Sequence, residues 1–484
     1  MWDLKGAEKC AGHILNAPAQ AASRREEKLT TQFFSGIIYP PMLRFLRTLT
    51  PRSVFKVYHF LIAITGALRF GFPTKKMITI GVTGTSGKST TVFLLGRILN
   101  AAGHKVGSTS TIEFCIGNEC TLNKSKMTQL GRWGTQRFLA KMLREKCDVA
   151  IVETTSQGIE QFRHRGIFYD VCLLTNLYPE HIESHGSFEN YKNAKKKLFA
   201  HLSKLPPKPL AGFPKTAIVN GQVAQAQEFL DFPIARKWSI AAAAQGTEAF
   251  VPADIVVSGS GVTFALRGVK FEVPLLGEHV VYNAVAAATC AFALGVPFEK
   301  SAEILKTVAA IPGRGEFIRE GQPFTIMVDF AFEPVAMTKL YEVVNKIPHA
   351  RIIHVLGGTG GGRDKARRPV LGKIAATNAD VVVVTNEDPY DENPREIMEM
   401  VASGAREGGK VDGEGLVLID DRRAAIEYAL QKAEKNDIIV ITGKGCEQAM
   451  AGPNFTLEPW DDRTVVREGL AKLQKTWGSP TASN

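Results

Sequence analysis

A glycine-rich stretch near residue 85 has the residue types that cradle a nucleotide phosphate. It reads "GVTGTSGKSTT" from 81 to 91, between the apolar run "MITI" and the helical run "VFLLGRIL". A strand, a glycine turn and a helix start together aim backbone N–H groups at phosphate oxygens. In this arrangement Lys88 would neutralise the terminal phosphates and the Ser89 hydroxyl would reach Mg²⁺. Val82 stands where the strict G-x-x-x-x-G-K-[ST] spacing needs glycine, so a chance glycine turn remains the alternative.

Two later stretches place carboxylate, imidazole and amine groups after apolar runs. The stretch "VETTSQGIEQFRHRG" puts Glu153 at a strand end, where a carboxylate can complete a metal site. The stretch "TNLYPEHIESHGSFENYKNAKKKLF" follows another apolar run and holds His181 and Lys195. By residue type alone, an isolated histidine is usually structural, and the charged run "KNAKKK" around Lys195 favours a solvated helix face. The residue types therefore leave both interpretations of these two side chains open.

The elements that must position these groups alternate between strands and helices from residue 77 onward. Strands are predicted at "MITIGVTG", "CDVAIVET" and "YDVCLLTNL", and helices at "STTVFLLGRILNAAG" and "NAVAAATCAFALG". This alternation predicts an α/β fold, with a parallel sheet covered by helices on both faces. The stretch "GVTFALRGVKFEVPLLG" alternates between turns and predicts a β excursion within the same domain.

A second alternation begins after "IPGRGEF". It runs through "FTIMVDF", a helix from about residue 335, "RIIHVLGG", the helix "VLGKIAATNA", "VVVVTNEDP" and "DIIVITGKG". This order predicts a smaller, doubly wound, Rossmann-like domain. Because 484 residues are too many for one core, two or three domains are expected. The predicted division is a short helical N-terminal segment at 1–75, a central P-loop-type ATPase domain at 76–312 and a C-terminal domain at 313–484.

The formal net charge of +11 is concentrated at the beginning of the chain. Residues 1–76 hold twelve Lys/Arg and four Asp/Glu, beside the apolar segment "VFKVYHFLIAITGALRFGF". The apolar part between Lys56 and Arg69 is shorter than the roughly 20 residues of a membrane span, so a buried or capping helix is predicted. The alternative is a segment at 40–72 that rests peripherally on an anionic membrane face. Charge placed beside an apolar helix argues against nucleic-acid binding, and a cytoplasmic protein is predicted either way.

The seven cysteines are odd in number and scattered along the chain. This pattern fits reduced thiols in a cytoplasmic protein better than a disulfide framework. The stretch "CIGNEC" brings Cys115 and Cys120 close in sequence. Because no second Cys/His pair lies nearby, the sequence argues against a zinc site there.

The ordered motifs of the chain resemble those of the Mur ligase family. Its UDP-N-acetylmuramoyl-tripeptide synthetases carry G-T-N-G-K-[ST], E-x-S-S-x-G-L-x-Q-x-R and T-N-L-x-x-D-H-L-x-x-H-G-x-x-x-x-x-Y-x-x-A-K. The first three motifs match the stretches quoted above. The family runs "DYAHTP", "GDRDKxKRP" and "GKGHE" read here "DFAFEP", "GGRDKARRP" and "GKGCE". The resemblance covers 77–470 and implies an intact phosphate loop of the Mur type, with Ser86 where asparagine is usual.

The resemblance implies an ATP-dependent ligase that joins a carboxylate to an amine through an acyl phosphate. Fixed cations hold the negative charge of such steps. The residues that match nucleotide-binding positions are Gly84, Thr85, Ser86, Gly87, Lys88, Ser89, Thr90, Asn283, Arg314 and Asp329. Those that match catalytic or Mg²⁺-binding positions are Lys88, Ser89, Glu153, His181 and Lys195, the last as a carbamate formed with CO₂. Val280 replaces a family asparagine near the adenine, and Phe332 replaces a histidine whose ring stacking it can keep.

The resemblance also assigns residues to the two reacting substrates. Thr128, Thr155 and Arg163 match residues that hold the UDP-muramoyl dipeptide. Arg363 and Glu447 match positions that read the incoming amino acid, since a guanidinium grips a carboxylate and a carboxylate receives an ammonium.

The specificity loop departs from the family pattern. Relatives that select meso-diaminopimelate carry D-N-P-R, whereas this chain has Glu387, Asp388, Pro389 and Tyr390. Two acids suit a distal ammonium, so lysine or another diamino acid is predicted as the substrate. Carboxylate partners left open for diaminopimelate are Arg367, Arg368 and Arg395.

The function implied is addition of the third amino acid to UDP-N-acetylmuramoyl-L-alanyl-D-glutamate, by a monomer. Fewer than 80 residues precede the phosphate loop, so the resemblance implies a shortened region for holding uridine. A folylpolyglutamate-type ligase is the nearest alternative, because it shares the ATP machinery. A non-catalytic nucleotide-binding subunit is the other alternative, and the joint presence of Lys88, Glu153, His181 and Lys195 argues against it.

Overall fold

The computed structural model describes residues 52–180, 182–362 and 365–477, with side chains from 57 to 474 outside the same gaps. The first described helix, α1 (Arg52–Arg69), matches the apolar segment near the beginning of the chain. A short 3₁₀ helix, Pro73–Lys76, then leads into the first strand. Among the described residues no helix combines the length and the apolar character that a membrane span requires.

A nine-stranded sheet forms the centre of the first α/β region. Its strand order is β4-β3-β2-β5-β1-β6-β7-β8-β9, parallel except for the antiparallel pairs β2–β3 and β3–β4. The strands are β1 (Ile78–Thr83), β2 (Val106–Thr109), β3 (Glu113–Ile116), β4 (Glu119–Leu122), β5 (Val149–Glu153), β6 (Val171–Leu174), β7 (Thr216–Asn220), β8 (Arg236–Ile240) and β9 (Glu248–Phe250). Strand β1 pairs in parallel with β5 and β6, so their carboxyl ends share one edge.

Helices cover both faces of this sheet. They are α2 (Lys88–Ala101), α3 (Arg132–Arg144), α4 (Ser156–Glu160), α5 (Ile182–His185), α6 (Phe188–Lys204), α7 (Ala226–Leu230), α8 (Glu278–Ala293) and α9 (Phe298–Leu305). The side chains of successive residues of β5 point to opposite faces of the sheet, because strand side chains alternate. Val149 and Ile151 join the core with α2 and α8, while Ala150 and Val152 join the core with α3 and α6.

A three-stranded antiparallel sheet interrupts the alternation between β9 and α8. It consists of β10 (Ala253–Ser258), β11 (Gly261–Leu266) and β12 (Val269–Val273). Phe264 and Phe271 lie opposite each other and stack with ring centroids 4.9 Å apart. These rings belong to the same core as α8, which ties the predicted β excursion to the central sheet.

A six-stranded sheet organises the second α/β region. Its order is β13-β14-β18-β15-β16-β17, and only the β13–β14 pair is antiparallel. The strands are β13 (Glu316–Ile318), β14 (Thr325–Val328), β15 (Ile352–Leu356), β16 (Val381–Thr385), β17 (Leu416–Ile419) and β18 (Ile438–Ile441). The covering helices are α10 (Pro334–Val344), α11 (Arg367–Asn378), α12 (Pro394–Glu407), α13 (Arg422–Lys432) and α14 (Asp462–Trp477), with the hairpin β19 (Ala449–Ala451) and β20 (Leu457–Pro459) before α14.

The predicted α/β fold, with two strand–helix alternations and a β excursion, is confirmed. The differences lie at the ends and edges of elements. Helix α8 begins at Glu278, five residues before the predicted run, because Gly277 with φ 99° supplies the turn at its start. The hairpin β3–β4 was not predicted, since its strands are only four residues long.

The expectation of reduced thiols fails at this hairpin. Cys115 and Cys120 lie directly opposite in the β3–β4 register, with Cα atoms 4.1 Å apart, and form a disulfide. Cys147, Cys172, Cys290 and Cys446 are free and buried. Sequence spacing alone did not show that a tight turn would put the first two side chains face to face.

Candidate active site

A cavity of about 1190 Å³ lies where the carboxyl ends of strands from both parallel sheets meet. The residues after β1, β5 and β6 form one wall, and those after β14 and β18 form another. Open α/β sheets bind ligands at such edges, because loops and helix starts point outward there. The predicted residues that line the cavity are Thr85, Ser86, Gly87, Lys88, Ser89, Thr90, Thr128, Glu153, Thr155, Arg163, Asn283, Arg314, Asp329 and Glu447.

The phosphate loop depends on two glycines. Gly84 has φ 154° and Gly87 has φ 75°, backbone conformations that other residues seldom adopt. A Cβ added at Gly84 would lie 1.9 Å from Thr175 Oγ1, and one at Gly87 would lie 2.3 Å from Asn283 Oδ1. The loop can therefore pass close to its neighbours only with glycine at both positions.

Asn176, at the end of β6, fixes the tip of this loop. Its Oδ1 accepts hydrogen bonds from the backbone N–H of Thr85 at 3.0 Å and of Ser86 at 2.8 Å. Its Nδ2 donates to Ser86 Oγ at 2.9 Å. Tyr191 of α6 adds a hydroxyl bond to Thr85 Oγ1 at 3.0 Å. Asn176 is the second residue of the third quoted motif, and its role at the loop follows only from the structure.

Lys88 is the first residue of α2 and projects into the loop. Its Nζ donates to Thr85 O at 2.8 Å. Burial lowers the pKa of this ammonium, and Glu153 and Glu180 partly offset that shift. Among the described residues no carboxylate pairs directly with Lys88, and a buried cation of this kind suits a phosphate that brings its own charge.

A chain of side-chain oxygens links the loop to Thr128, a residue predicted to hold the acceptor. Ser89 Oγ donates to Glu153 Oε1 at 3.0 Å, and the N–H of Thr111 donates to Glu153 Oε2 at 2.8 Å. The hydroxyl of Thr111 also lies 2.8 Å from Thr128 Oγ1. Glu153 is only 1% exposed, so its carboxylate depends on these partners. Thr111, which sequence reasoning missed, joins two predicted subsites.

Lys195 lies behind the loop. Residues Tyr191, Lys195 and Phe199 recur every four positions along the buried face of α6, which explains why a lysine from a charged run is 1% exposed. Its Nζ donates to Gly84 O at 2.7 Å and lies 4.4 Å from the centroid of the Tyr191 ring. Burial, with a smaller contribution from Lys88, holds the pKa of Lys195 well below its usual value. The predicted alternative of a solvated lysine is therefore wrong.

The residues predicted to hold the nucleoside lie on the opposite side of the loop. Asn283 of α8 is 7% exposed, and the Thr91 hydroxyl reaches its Oδ1 at 3.5 Å. Asp329, after β14, accepts the N–H of Gly315 at 2.6 Å and that of Ala331 at 2.7 Å. Burial raises the pKa of Asp329, and Arg314 partly opposes this shift.

Arg314 lies next to Asp329, and its guanidinium is 4.2 Å from the centroid of the Phe330 ring. Its buried Nε has no hydrogen-bond partner among the described residues. His279, one turn before Asn283, faces the cavity as well, and burial lowers its pKa to about 4. No sequence signal points to His279, because a single histidine gives no pattern.

The residues predicted for the acceptor form a second part of the wall. Thr155 caps α4, accepting the N–H of Gly158 at 3.0 Å. Arg163 donates to Gln161 Oε1 at 2.7 Å and to the carbonyl of Gln129. Burial lowers the pKa of Arg163 to about 10. Arg163 lines the cavity, which does not match the alternative of an ordinary surface arginine.

The acids predicted to read the amino acid already have partners in this chain. Glu387 is buried and accepts the Thr359 hydroxyl at 2.7 Å. Asp388 contacts Lys126 and lies 3.0 Å from Lys444 Nζ. Neither of these two acids lines the cavity. Glu387 and Asp388 are therefore not free to receive an incoming ammonium. The fold places Thr359 against Glu387, and Lys126 and Lys444 against Asp388.

Glu447, the third acid predicted to read the amino acid, does line the cavity. It lies 3.0 Å from Lys126 Nζ and 2.8 Å from Lys444 Nζ. Burial opposes ionisation of Asp388, but Lys444 and Lys126 outweigh it and lower the pKa of this carboxyl. In the same way Glu447 and Asp388 outweigh burial and raise the pKa of Lys444.

Two further contacts join the walls of the cavity. Tyr178 Oη donates to Glu333 Oε1 at 3.0 Å, and Arg367 Nη1 lies 3.6 Å from Glu180 Oε1. Phe332, in the position predicted to keep ring stacking, receives the Arg367 guanidinium 5.3 Å from its ring centroid. Two predicted site residues, His181 and Arg363, lie outside the described residues.

Comparison with known proteins identifies the family. The Mur ligase middle domain matches residues 82–291, and the Mur ligase glutamate ligase domain matches residues 313–445. A UDP-N-acetylmuramyl-tripeptide synthetase of Roseiflexus sp. (strain RS-1) is 35% identical over 427 residues, covering 85% of this chain and 82% of that protein. The chain belongs to the Mur ligase family. As a family member it is an ATP-dependent acid–amino-acid ligase, and the family uses ATP with Mg²⁺.

Other relatives carry more specific names. A UDP-N-acetylmuramoyl-L-alanyl-D-glutamate–2,6-diaminopimelate ligase of Halalkalibacterium halodurans is 32% identical over 405 residues, covering 83% of this chain and 80% of that protein. A solved structure of a ligase with this name is 27% identical, with a TM-score of 0.54 over 82% of this chain and 79% of that one. A folylpolyglutamate synthase of Mycobacterium tuberculosis aligns with a TM-score of 0.63 over 87% of this chain and 94% of that one, at 18% identity, and shows the fold alone.

Proposed function

We propose that this Mur ligase adds the third amino acid, a diamino acid, to UDP-N-acetylmuramoyl-L-alanyl-D-glutamate in peptidoglycan synthesis. The observation that carries the proposal is one shared cavity, whose lining includes the phosphate loop, Glu153, Thr128 and Glu447. The names of relatives that match over most of the chain agree with it. The amino acid is lysine or another diamino acid, a class that includes diaminopimelate.

The proposed reaction has two steps. An oxygen of the acceptor carboxylate attacks the γ-phosphorus of ATP, the bond to the bridging oxygen breaks, and ADP leaves. The amine of the incoming amino acid then attacks the acyl carbon, a proton is lost, and inorganic phosphate departs as the amide forms. Lys88 and the backbone of 84–90 hold the phosphates, and Thr128, Thr155 and Arg163 hold the acceptor so that its carboxylate reaches the loop.

The nucleoside end of ATP is proposed to lie between Asn283, Arg314 and Asp329. The Nε of Arg314, which has no hydrogen-bond partner in the described part of the chain, and the carboxylate of Asp329 offer a donor and an acceptor near the phosphate loop. Asn283, close to Gly87, offers an amide to the base. Together these groups would fix the orientation of the nucleotide.

Ser89 and Glu153 are proposed to hold Mg²⁺, together with His181. The fit is supported by a buried carboxylate next to a hydroxyl, since Mg²⁺ prefers oxygen ligands and sites shared with phosphates. When bound, the ion would withdraw charge from the transferring phosphoryl group. The hydroxyl of Thr111, which contacts both side chains, would then fix the position of Glu153 relative to Thr128.

Lys195 is proposed to carry a carbamate. Only a neutral amine attacks CO₂, and burial lowers the pKa of Lys195 in the direction that favours this form. Carbamate formation replaces an N–H bond with an N–CO₂⁻ group and releases a proton. The product is an anion next to Gly84, on the phosphate loop, where it can bind Mg²⁺.

We further propose that 76–312 binds ATP and the acceptor and that 313–484 binds the amino acid, within a cytoplasmic monomer. The N-terminal segment would stay close to the membrane surface. Leu61 and Leu68 support that part, because they are 55% and 60% exposed and lie seven residues apart on one helix face. Co-sedimentation with anionic liposomes tests it, since equal and negligible binding with and without 1–70 would end the membrane proposal.

The deciding experiment is a ligation assay. Purified enzyme receives ATP, Mg²⁺ and UDP-N-acetylmuramoyl-L-alanyl-D-glutamate, with lysine, diaminopimelate or ornithine offered separately. Phosphate release with a product of matching mass is expected for at least one amino acid, and Lys88→Ala is expected to abolish it. Release with none of them would overturn the substrate assignment and favour the non-catalytic alternative, whereas turnover of a folate with glutamate would favour the folylpolyglutamate type.

A further inference from the structure

Lys126 is a cavity side chain that no sequence motif singled out. It lies two residues before Thr128, in the connection between β4 and α3. Its side chain is 7% exposed and lines the cavity. Its ammonium contacts Asp388 and lies 3.0 Å from Glu447 Oε2. The loop that carries an acceptor residue therefore reaches the acids on the amino-acid side.

Backbone conformation marks the same place. Lys126 has φ 51° and Tyr390 has φ 52°, values in the left-handed region that residues other than glycine seldom adopt. Lys126 Nζ lies 6.0 Å from the centroid of the Tyr390 ring. A Cβ on Gly361, a further residue with positive φ, would lie 3.1 Å from that ring. Unfavourable conformations that meet at one point are typical of functional sites, where the surrounding structure holds them.

The charges around Lys126 are balanced. The ammonium groups of Lys126 and Lys444 face the carboxylates of Asp388 and Glu447. Lys444 is fully engaged, since it donates to both acids and to Ala449 O at 2.6 Å. Lys126 has three N–H donors and two acceptors among the described residues, which leaves one donor for a ligand in the cavity.

We propose that Lys126 determines which amino acid the enzyme accepts, by donating a hydrogen bond to a carboxylate at the distal end of the incoming side chain. This proposal rests on the function proposed above and deepens it. The distal end of 2,6-diaminopimelate carries a carboxylate and an ammonium, which match the ammonium of Lys126 and the carboxylate of Glu447, 3.0 Å apart. Lysine and ornithine end in an ammonium alone, which Lys126 repels.

The test compares wild-type enzyme with Lys126→Met, Lys126→Arg and Lys124→Met. KM and kcat are measured for meso-diaminopimelate and for L-lysine at saturating ATP and acceptor. Wild type is expected to prefer diaminopimelate. Lys126→Met should raise the KM for diaminopimelate about 10- to 100-fold, the value of a hydrogen bond to a charged group. It should leave the KM for lysine unchanged or lower, with little change in kcat.

The two other variants separate charge from structure. Lys126→Arg keeps a cation and should retain the preference for diaminopimelate. Lys124→Met removes an exposed lysine from the same loop and should behave as wild type. A wild type that prefers lysine, or an equal rise in KM for both amino acids in Lys126→Met, would overturn the role of Lys126 while leaving the ligase function intact. Absence of product with every amino acid would instead refute the proposed function.

Discussion

At the scale of single residues, chemistry follows from burial. Lys195 and Lys196 are neighbours in one charged run, yet Lys195 is 1% exposed and Lys196 forms an ion pair with Glu228 at 2.8 Å. The first loses hydration, and burial lowers the pKa of its ammonium. The second remains partly exposed to solvent beside its carboxylate partner. Two lysines of the same sequence type thus have different chemistry.

Changing Lys195 to methionine is expected to abolish ligation while leaving the fold intact. Methionine fills similar volume but supplies no anion, so phosphate release should fall by at least about 10²–10³-fold, the range for losing one group that stabilises developing charge. In Lys195→Ala, whose short side chain leaves space for a ligand, a short carboxylate such as acetate should restore part of the activity. The variant Lys197→Met, which removes a half-exposed lysine of the same helix, should be fully active. Full activity of Lys195→Met would contradict the assignment.

The carbamate proposed for Lys195 should form more readily as pH rises. Burial lowers the pKa of this lysine. The fraction of neutral amine, the form that attacks CO₂, therefore increases at lower pH than it does for an exposed lysine. Protein supplied with ¹³C-bicarbonate is expected to show a carbamate signal by ¹³C NMR that increases with pH. The signal should be missing in Lys195→Met, and its presence there would assign it to another amine.

At the scale of elements, the parallel strands bring the site residues together. The carboxyl ends of β1, β5 and β6 share one edge, so the phosphate loop, Glu153 and Asn176 come together although they are far apart in sequence. The alternation of apolar runs was enough to predict this edge. It did not predict Thr111, which follows the short strand β2 and reaches the same edge only because β2 pairs with β5.

Changing Thr111 to valine should weaken acceptor binding more than ATP binding. The substitution removes the hydroxyl that lies between Glu153 and Thr128, while the backbone N–H still donates to Glu153. One net hydrogen bond is worth about 1 kcal/mol, so the KM for the acceptor should rise about fivefold, with the KM for ATP nearly unchanged. Thr121→Val, an exposed threonine of β4, serves as the control. A larger effect on ATP would show that Thr111 acts mainly through the phosphate loop.

At the scale of the whole molecule, the cavity depends on contacts between the two α/β regions. Tyr178 from one region donates to Glu333 of the other, and Glu333 also caps α10 through the N–H groups of Val335 and Ala336. Arg367 and Lys126 make further charged contacts across the same gap. Such contacts fix the two walls of the cavity relative to each other.

Changing Tyr178 to phenylalanine should loosen this arrangement. It removes the hydroxyl bond to Glu333, worth about 1 kcal/mol, and leaves the cap of α10 in place. We expect kcat to fall about fivefold and small-angle scattering to report a larger radius of gyration with an ATP analogue bound. Tyr428→Phe in α13 is the matched control. Unchanged kcat and unchanged dimensions would mean that the other cross-gap contacts suffice.

The sequence alone determined the parts of this protein that depend on local order. Periodic apolar runs predict the two α/β alternations and the β excursion, and the spacing within motifs predicts the phosphate loop and Glu153. Only the tertiary structure decided what Glu387 and Asp388 do, because their partners Thr359, Lys126 and Lys444 come from distant segments. The same holds for the disulfide of Cys115 and Cys120 and for the burial of Lys195. Charge and redox state depend on what lies within a few ångströms in space, and neighbours in sequence do not report it.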